Sequence, residues 1–132
     1  MSAESGRLDF ARRYTAAWCS HDPAQVAAFF SPQGSLTVNG GAPAAGRAAI
    51  AELARGFMTD FPDLHLVMDR LEDRRERTEY HWTLAGTYRA TGKRVRISGY
   101  EEWMFGADGL VADSQGHFDA AEYQRQCQFG FE

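Results

Sequence analysis

From Thr78 to Asp119 the chain alternates apolar and polar residues through three consecutive strands and two tight turns, and that alternation assigns each side chain a face. The first strand, Tyr80 to Tyr88, places Tyr80, Trp82, Leu84 and Tyr88 on one side. The second, Val95 to Phe105, places Ile97, Gly99, Glu101, Trp103 and Phe105 together. Successive side chains point to opposite faces, so Glu101 shares its side with Trp103 wherever the strand ends fall. A carboxyl on a core-facing aromatic stripe predicts a cup with an acid inside it. Gly86 and Gly99, on the same inward parity, let the strands bend or a ligand approach the backbone.

Upstream, the apolar period changes from two to between three and four. Leu8, Ala11, Tyr14, Thr15 and Trp18 predict a helix from Arg7 to Cys19. Asp22 reads as the N-cap of a second, short helix ending near Phe30, with Pro23 first and Gln25 at capping-box spacing. Ser31-Pro32-Gln33-Gly34 reads as a turn, Ser35 to Val38 as a brief strand and Gly40 to Pro43 as a loop. Ile50, Leu53, Ala54 and Phe57 mark a third helix, which Phe61-Pro62 ends, and Leu64 to Met68 resumes as strand. Glu72 to Arg77 is a mixed-charge turn, and residues 120–132 form a tail with a helical turn or two. Three N-terminal helices packed on a strongly curved, mainly antiparallel sheet make one α+β domain over residues 1–132.

A net charge of −4 argues against a nucleic-acid groove binder, which would need clustered basic surface. No apolar run reaches membrane-span length, and Met1 to Ser5 lacks the features of a secretory leader. Cys19 and Cys127 stand outside any paired-cysteine motif and suit free thiols in the cytoplasm better than a disulfide. Nucleophile-elbow, phosphate-loop and metalloprotease motifs are all absent from the sequence, so no cofactor and no metal are expected.

Several motifs together resemble the NTF2-like superfamily and, within it, the SnoaL-like polyketide cyclases and ketosteroid isomerase relatives. They are Tyr14-x-x-x-Trp18, His21-Asp22-Pro23, Phe29-Phe30-Ser31-Pro32, Gly46-Arg47-x-x-Ile50, Phe61-Pro62-Asp63-Leu64, Trp82, Gly86-Thr87-Tyr88, Thr91 to Val95, Gly109-Leu110-Val111 and Phe118-Asp119. The resemblance spans roughly Leu8 to Tyr123 and implies a cone-shaped fold. It also implies that Tyr14 and Glu101 correspond to the tyrosine and protonated acid of an isomerase oxyanion hole. The isomerase base then falls at Val38 (or Asn39), and the cyclase aspartate at Gly116; none of these can accept a proton.

Tyr14 and Glu101 are therefore the candidate catalytic pair. Trp18, Val38, Phe57, Trp82, Ile97, Trp103, Ser114 and Phe118 are the candidate ligand-binding residues. Core packing alone would also explain the aromatic ones, and Glu101 could be a structural acid satisfied by Tyr14 or Ser114. Three readings stay open: a cofactor-independent isomerase or cyclase-like enzyme for a small hydrophobic carbonyl compound, a non-catalytic binding module, and a dimeric interaction domain. A cavity of about 300 Å³ or more would favour a ligand. His65, His81 and His117 take the outward parity with Tyr100, Glu102 and Met104, a face expected to be covered in a homodimer.

Overall fold

The computed structural model describes residues 3–132; Met1 and Ser2, part of the N-terminal stretch weighed above for a secretory leader, lie outside it. Among the described residues the elements are α1 (Ala3–Cys19), α2 (Pro23–Ala27), β1 (Phe30–Val38), β2 (Ala44–Ala45), α3 (Arg47–Asp60), β3 (His65–Asp73), β4 (Thr78–Tyr88), β5 (Lys93–Phe105), β6 (Val111–Phe118) and α4 (Ala120–Phe129). The strands form one sheet in the order β2-β1-β6-β5-β4-β3. Only the β1–β6 pairing is parallel. No helix among the described residues is long and apolar enough to cross a membrane. This is an α+β fold with helices against the inner face of a mostly antiparallel sheet.

The long meander follows the alternation closely. In β5, Val95, Ile97, Glu101 and Trp103 are buried, while Met104 is 40% exposed on the opposite face. Register aligns Tyr80 with Glu101 and Glu101 with Gly116, so three neighbouring strands meet at the acid. On α1 the buried arc is Phe10, Ala11, Tyr14, Ala17 and Trp18. Leu8 and Thr15, placed in the predicted stripe, sit at its half-buried margin. Phe10 takes the central place because its ring meets Phe29, Trp103 and Phe105 edge to face.

Elsewhere the boundaries move for identifiable reasons. The Ser31 to Gly34 stretch, expected as a turn, lies inside β1, where the register against β6 shifts between Phe30 and Ser35. Gly34 has no room for a side chain there, since a Cβ would stand 2.7 Å from the Val111 carbonyl oxygen. The α2 helix stops at Ala27 rather than near Phe30, because Phe30 already belongs to the strand. Asp22 caps it, accepting from the Ala24 N–H at 3.0 Å. Gln25 reaches only the Asp22 carboxylate, at 3.5 Å, so the reciprocal capping box does not form. The mixed-charge turn shortens at its start, because β3 extends to Asp73. The expected tail contains a ten-residue helix, α4, capped by Asp119, whose carboxylate accepts from the Glu122 N–H at 3.0 Å.

Candidate functional site

The carboxyl of Glu101 is held by three donors that come from α1, β5 and β6. The Tyr14 hydroxyl donates to Oε2 at 3.0 Å and lies 3.2 Å from Oε1. The indole N–H of Trp103 reaches Oε1 at 3.0 Å, and the Ser114 hydroxyl reaches Oε1 at 2.8 Å. Tyr14, Trp103 and Ser114 are each 0% exposed, and Glu101 is 7% exposed. Their positions follow from local rules: Trp103 is two residues along the strand from Glu101, Ser114 is the cross-strand partner of Trp103, and Tyr14 projects from the buried arc of α1. Behind them Tyr80 stacks on Trp103 with centroids 4.8 Å apart, and Tyr14 meets Trp103 edge-on. This aromatic block fixes the donors before any ligand arrives.

Burial pushes the Glu101 pKa above the usual carboxylate range, and the bonds from Trp103, Ser114 and Tyr14 oppose that shift without cancelling it. Burial also raises the Tyr14 hydroxyl well above its usual value, and the neighbouring Glu101 carboxyl adds to the effect. Tyr14 is therefore a donor and not a base. Among the described residues no cationic side chain bonds to this acid.

A cavity lies on the other side of Glu101, between α1, α3, α4 and the sheet. Its walls are Trp18 of α1, Leu53 and Phe57 of α3, Leu36 and Val38 of β1, and Leu66 of β3. Trp82 and Leu84, Ile97, Gly116 and Phe118, and Tyr123 of α4 complete it, with Glu101 its only acidic group. The space open to the centre of a water molecule is about 60 Å³, inside a void of about 590 Å³ that includes open solvent at the mouth. The enclosed space falls below the roughly 300 Å³ expected of a drug-sized site. Gly116 lies beside Glu101 without a side chain, which leaves the carboxyl reachable from the cavity.

Six of the eight anticipated ligand-binding residues border this cavity: Trp18, Val38, Phe57, Trp82, Ile97 and Phe118. Trp103 and Ser114 do not, because their polar atoms turn toward Glu101 Oε1 from behind. Tyr14 also stands behind the acid and does not border the cavity. Leu36, Leu53, Leu66, Leu84 and Tyr123 were not anticipated. The leucines looked like any inward core position, and Tyr123 lay in a segment too polar to announce a helix; the Asp119 cap was the available signal. Val38 and Gly116 are register partners on β1 and β6, so both positions expected to carry a base face the cavity as apolar groups. Asn39 is exposed, and its side-chain oxygen accepts from the Phe118 N–H at 2.9 Å.

The inward glycines serve packing. A Cβ on Gly99 would stand 2.7 Å from Trp82 Cζ2 and closer still to the His117 carbonyl oxygen, so Gly99 makes room for a cavity wall. At Gly86 the nearest atoms belong to Phe61 and Asp63. The outward histidines do not converge. His81 lies 3.2 Å from Glu72 and 3.0 Å from Glu79, carboxylates that Arg74 also pairs, while His117 contacts Glu102 at 2.7 Å. His65 stands apart, with Nδ1 3.9 Å from Cys19 Sγ.

The fold has many solved counterparts. A Catenulispora acidiphila protein with a ketosteroid isomerase-like fold, crystallised with trimethylamine, superposes with a TM-score of 0.80 at 13% identity, covering 89% of this chain and 91% of that one. An NTF2-like protein of unknown function from Burkholderia pseudomallei gives 0.80 at 20% identity, covering 98% and 100%. SalBIII, an epoxide hydrolase/cyclase-like enzyme of pyran ring formation in the polyether salinomycin, gives 0.79 at 15% identity, covering 92% and 96%. No curated protein sequence matches at a significant level. Residues 11–114 match the model of the SnoaL-like domain. The chain belongs to the SnoaL-like domain family.

Proposed function

We propose that the domain binds a small, flat, predominantly apolar molecule in this cavity, with neutral Glu101 donating a hydrogen bond to the ligand's acceptor atom. The observation that carries the reading is an apolar wall interrupted by one buried carboxyl whose fixed donors all approach from behind. A carboxyl kept neutral by burial is a donor, and a carbonyl or ether oxygen is its natural partner. The flat faces of Trp18, Phe57, Trp82 and Phe118 suit an aromatic or unsaturated ring. A cavity of about 60 Å³ favours a single ring over a steroid. Tyr14 acts through Glu101, holding its carboxyl in place.

A second reading, a cofactor-independent isomerase or cyclase-like enzyme using Tyr14 and Glu101, draws on the inward acid and the likeness to SalBIII. It lacks a base, since Val38 and Gly116 carry none and a mainly neutral Glu101 is a poor one. The homodimer through the outer sheet face belongs to the same proposal, supported by Val67 and Met104, 44% and 40% exposed there. The free Cys19 and Cys127 fit a reducing compartment such as the cytoplasm.

Titration of the protein with planar aromatic ketones, followed by tryptophan fluorescence, tests the reading. Saturable binding that disappears in Gly116→Leu, which fills the space before Glu101, is expected. Equal binding by that variant, or none by the wild type, overturns it. The wild type should not isomerise a β,γ-unsaturated ketone, and Val38→Asp should gain slow turnover because the donor is already in place. Robust wild-type turnover that survives Glu101→Gln would mean that a base lies elsewhere.

A further inference from the structure

The floor of the cavity holds more donors than acceptors. Oε1 of Glu101 already faces Tyr14, Trp103 and Ser114, which exceeds its two lone-pair directions. Oε2 carries one bond, from Tyr14, and keeps a lone-pair direction free. A neutral Glu101 adds its own proton at Oε2.

One more donor stands beside this group. Trp18 follows Tyr14 by four residues on α1, so the two rings meet edge to face with centroids 6.5 Å apart. Trp18 borders the cavity and is 7% exposed. Its Nε1 is the sole buried side-chain nitrogen or oxygen among the described residues without a hydrogen-bond partner. The N–H lies near enough to the Tyr14 hydroxyl to favour its ionised form, yet outside the geometry of a hydrogen bond. An indole N–H bonds only along a narrow direction, and the Tyr14 oxygen lies off it. An indole nitrogen can only donate, so no change of protonation or tautomer satisfies it. Folded proteins rarely leave such a group, and the exceptions call for an explanation. Here the exception belongs to a residue that lines an apolar cavity containing an acid.

We infer that Trp18 Nε1–H is the second hydrogen-bond donor to the ligand and selects molecules that bring an acceptor but no donor, such as aryl ketones and cyclic ethers, over alcohols and amines. The inference rests on the ligand reading above. An oxygen seated against Glu101 Oε2 has two lone pairs, one for the acid's proton and one for the indole N–H. A hydroxyl or ammonium ligand would bring a further donor to a carboxyl that already accepts from Tyr14, Trp103 and Ser114.

The test uses the intact chain with isotopically labelled indoles and follows the N–H resonances of Trp18, Trp82 and Trp103 by NMR. The probes are acetophenone, its isostere α-methylstyrene, in which a methylene replaces the oxygen, and α-methylbenzylamine. Acetophenone should move the Trp18 resonance downfield, α-methylstyrene should not, and the ketone should bind about tenfold tighter. Trp18→Phe should cut that preference to about threefold while leaving α-methylstyrene affinity within about twofold. If Trp18→Phe folds poorly, the wild-type shifts still decide. A ketone preference with the Trp18 signal unmoved and unchanged by Trp18→Phe would overturn the role of Trp18 and leave the ligand reading standing. Failure of every ring compound to bind, or tightest binding by the amine, would overturn both, the latter because it requires an ionised Glu101.

Discussion

Glu101 and Glu102 are adjacent carboxylic acids on one strand, and the fold puts them to opposite uses. Glu101 faces the helices, bonded by a phenol, an indole and a serine hydroxyl, with burial raising its pKa. Glu102 faces outward beside His117 at 2.7 Å, and its backbone carbonyl accepts from Arg77 at 3.3 Å. One acid is surrounded by neutral donors in a dry place; the other stands among groups that can carry charge. The difference comes from strand parity alone, and a slip of one residue would exchange them. Neutral donors order an acid without demanding its charge.

The sharpest way to break this comparison is to remove each carboxyl in turn. Glu101→Leu strands the Tyr14, Trp103 and Ser114 donors and should cost about 3–5 kcal/mol in urea unfolding. Glu102→Leu should cost less than about 1 kcal/mol, as exposed ion pairs do. Equal losses would mean that the inner network does not hold the fold. The next largest effect separates the two glycines flanking Glu101's neighbourhood. Gly99→Ala should destabilise by about 2 kcal/mol, because its methyl meets the Trp82 ring and the His117 carbonyl. Gly116→Ala should stay within about 1 kcal/mol, since its nearest atoms lie at 3.6 and 3.8 Å, ordinary contact distances. Reversed magnitudes would show that the cavity floor is packed differently.

The inner face of β5 was legible because Val95, Ile97, Glu101 and Trp103 fall on one parity of a strand that pairs with β4 without a bulge, which makes the faces of Glu101, Glu102 and Trp103 independent of the strand ends. What lay behind the acid and what lay before it was not legible. Parity places Trp103 and Ser114 on the inner face, but only tertiary packing turns their polar atoms toward Oε1 and away from the cavity. The Ser31-Pro32-Gln33-Gly34 signal is a true local preference for a bend, overridden by parallel pairing with a strand some 80 residues away and kept as a register shift. Tyr123 reaches the cavity only because α4 docks on β5, where Gln126 accepts from the Arg96 N–H at 2.7 Å. Nothing in the polar run from Ala120 to Phe129 foretells that contact. The orphaned Trp18 nitrogen was equally hidden, since periodicity places a ring on a face and says nothing of where its N–H points.

A smaller effect concerns pH. The folded-state pKa of Glu101 is raised by burial, so the folded protein holds a proton that the unfolded chain has lost. The stabilisation is complete below the unfolded-state pKa and is lost as pH rises through the folded-state value. Glu101→Gln keeps the shape without the ionisation. Its stability relative to the wild type should therefore improve between about pH 5 and about pH 8. Marked destabilisation of the variant at the higher pH would indicate a charged carboxylate fixed by its donors.

The central claim is that Glu101 is a neutral acid at the floor of the cavity, and vibrational spectroscopy reads that directly. In an infrared difference spectrum of wild type against Glu101→Gln at neutral pH, the account predicts the carbonyl stretch of a protonated carboxylic acid, shifted when acetophenone binds. A difference spectrum containing only carboxylate bands would contradict it.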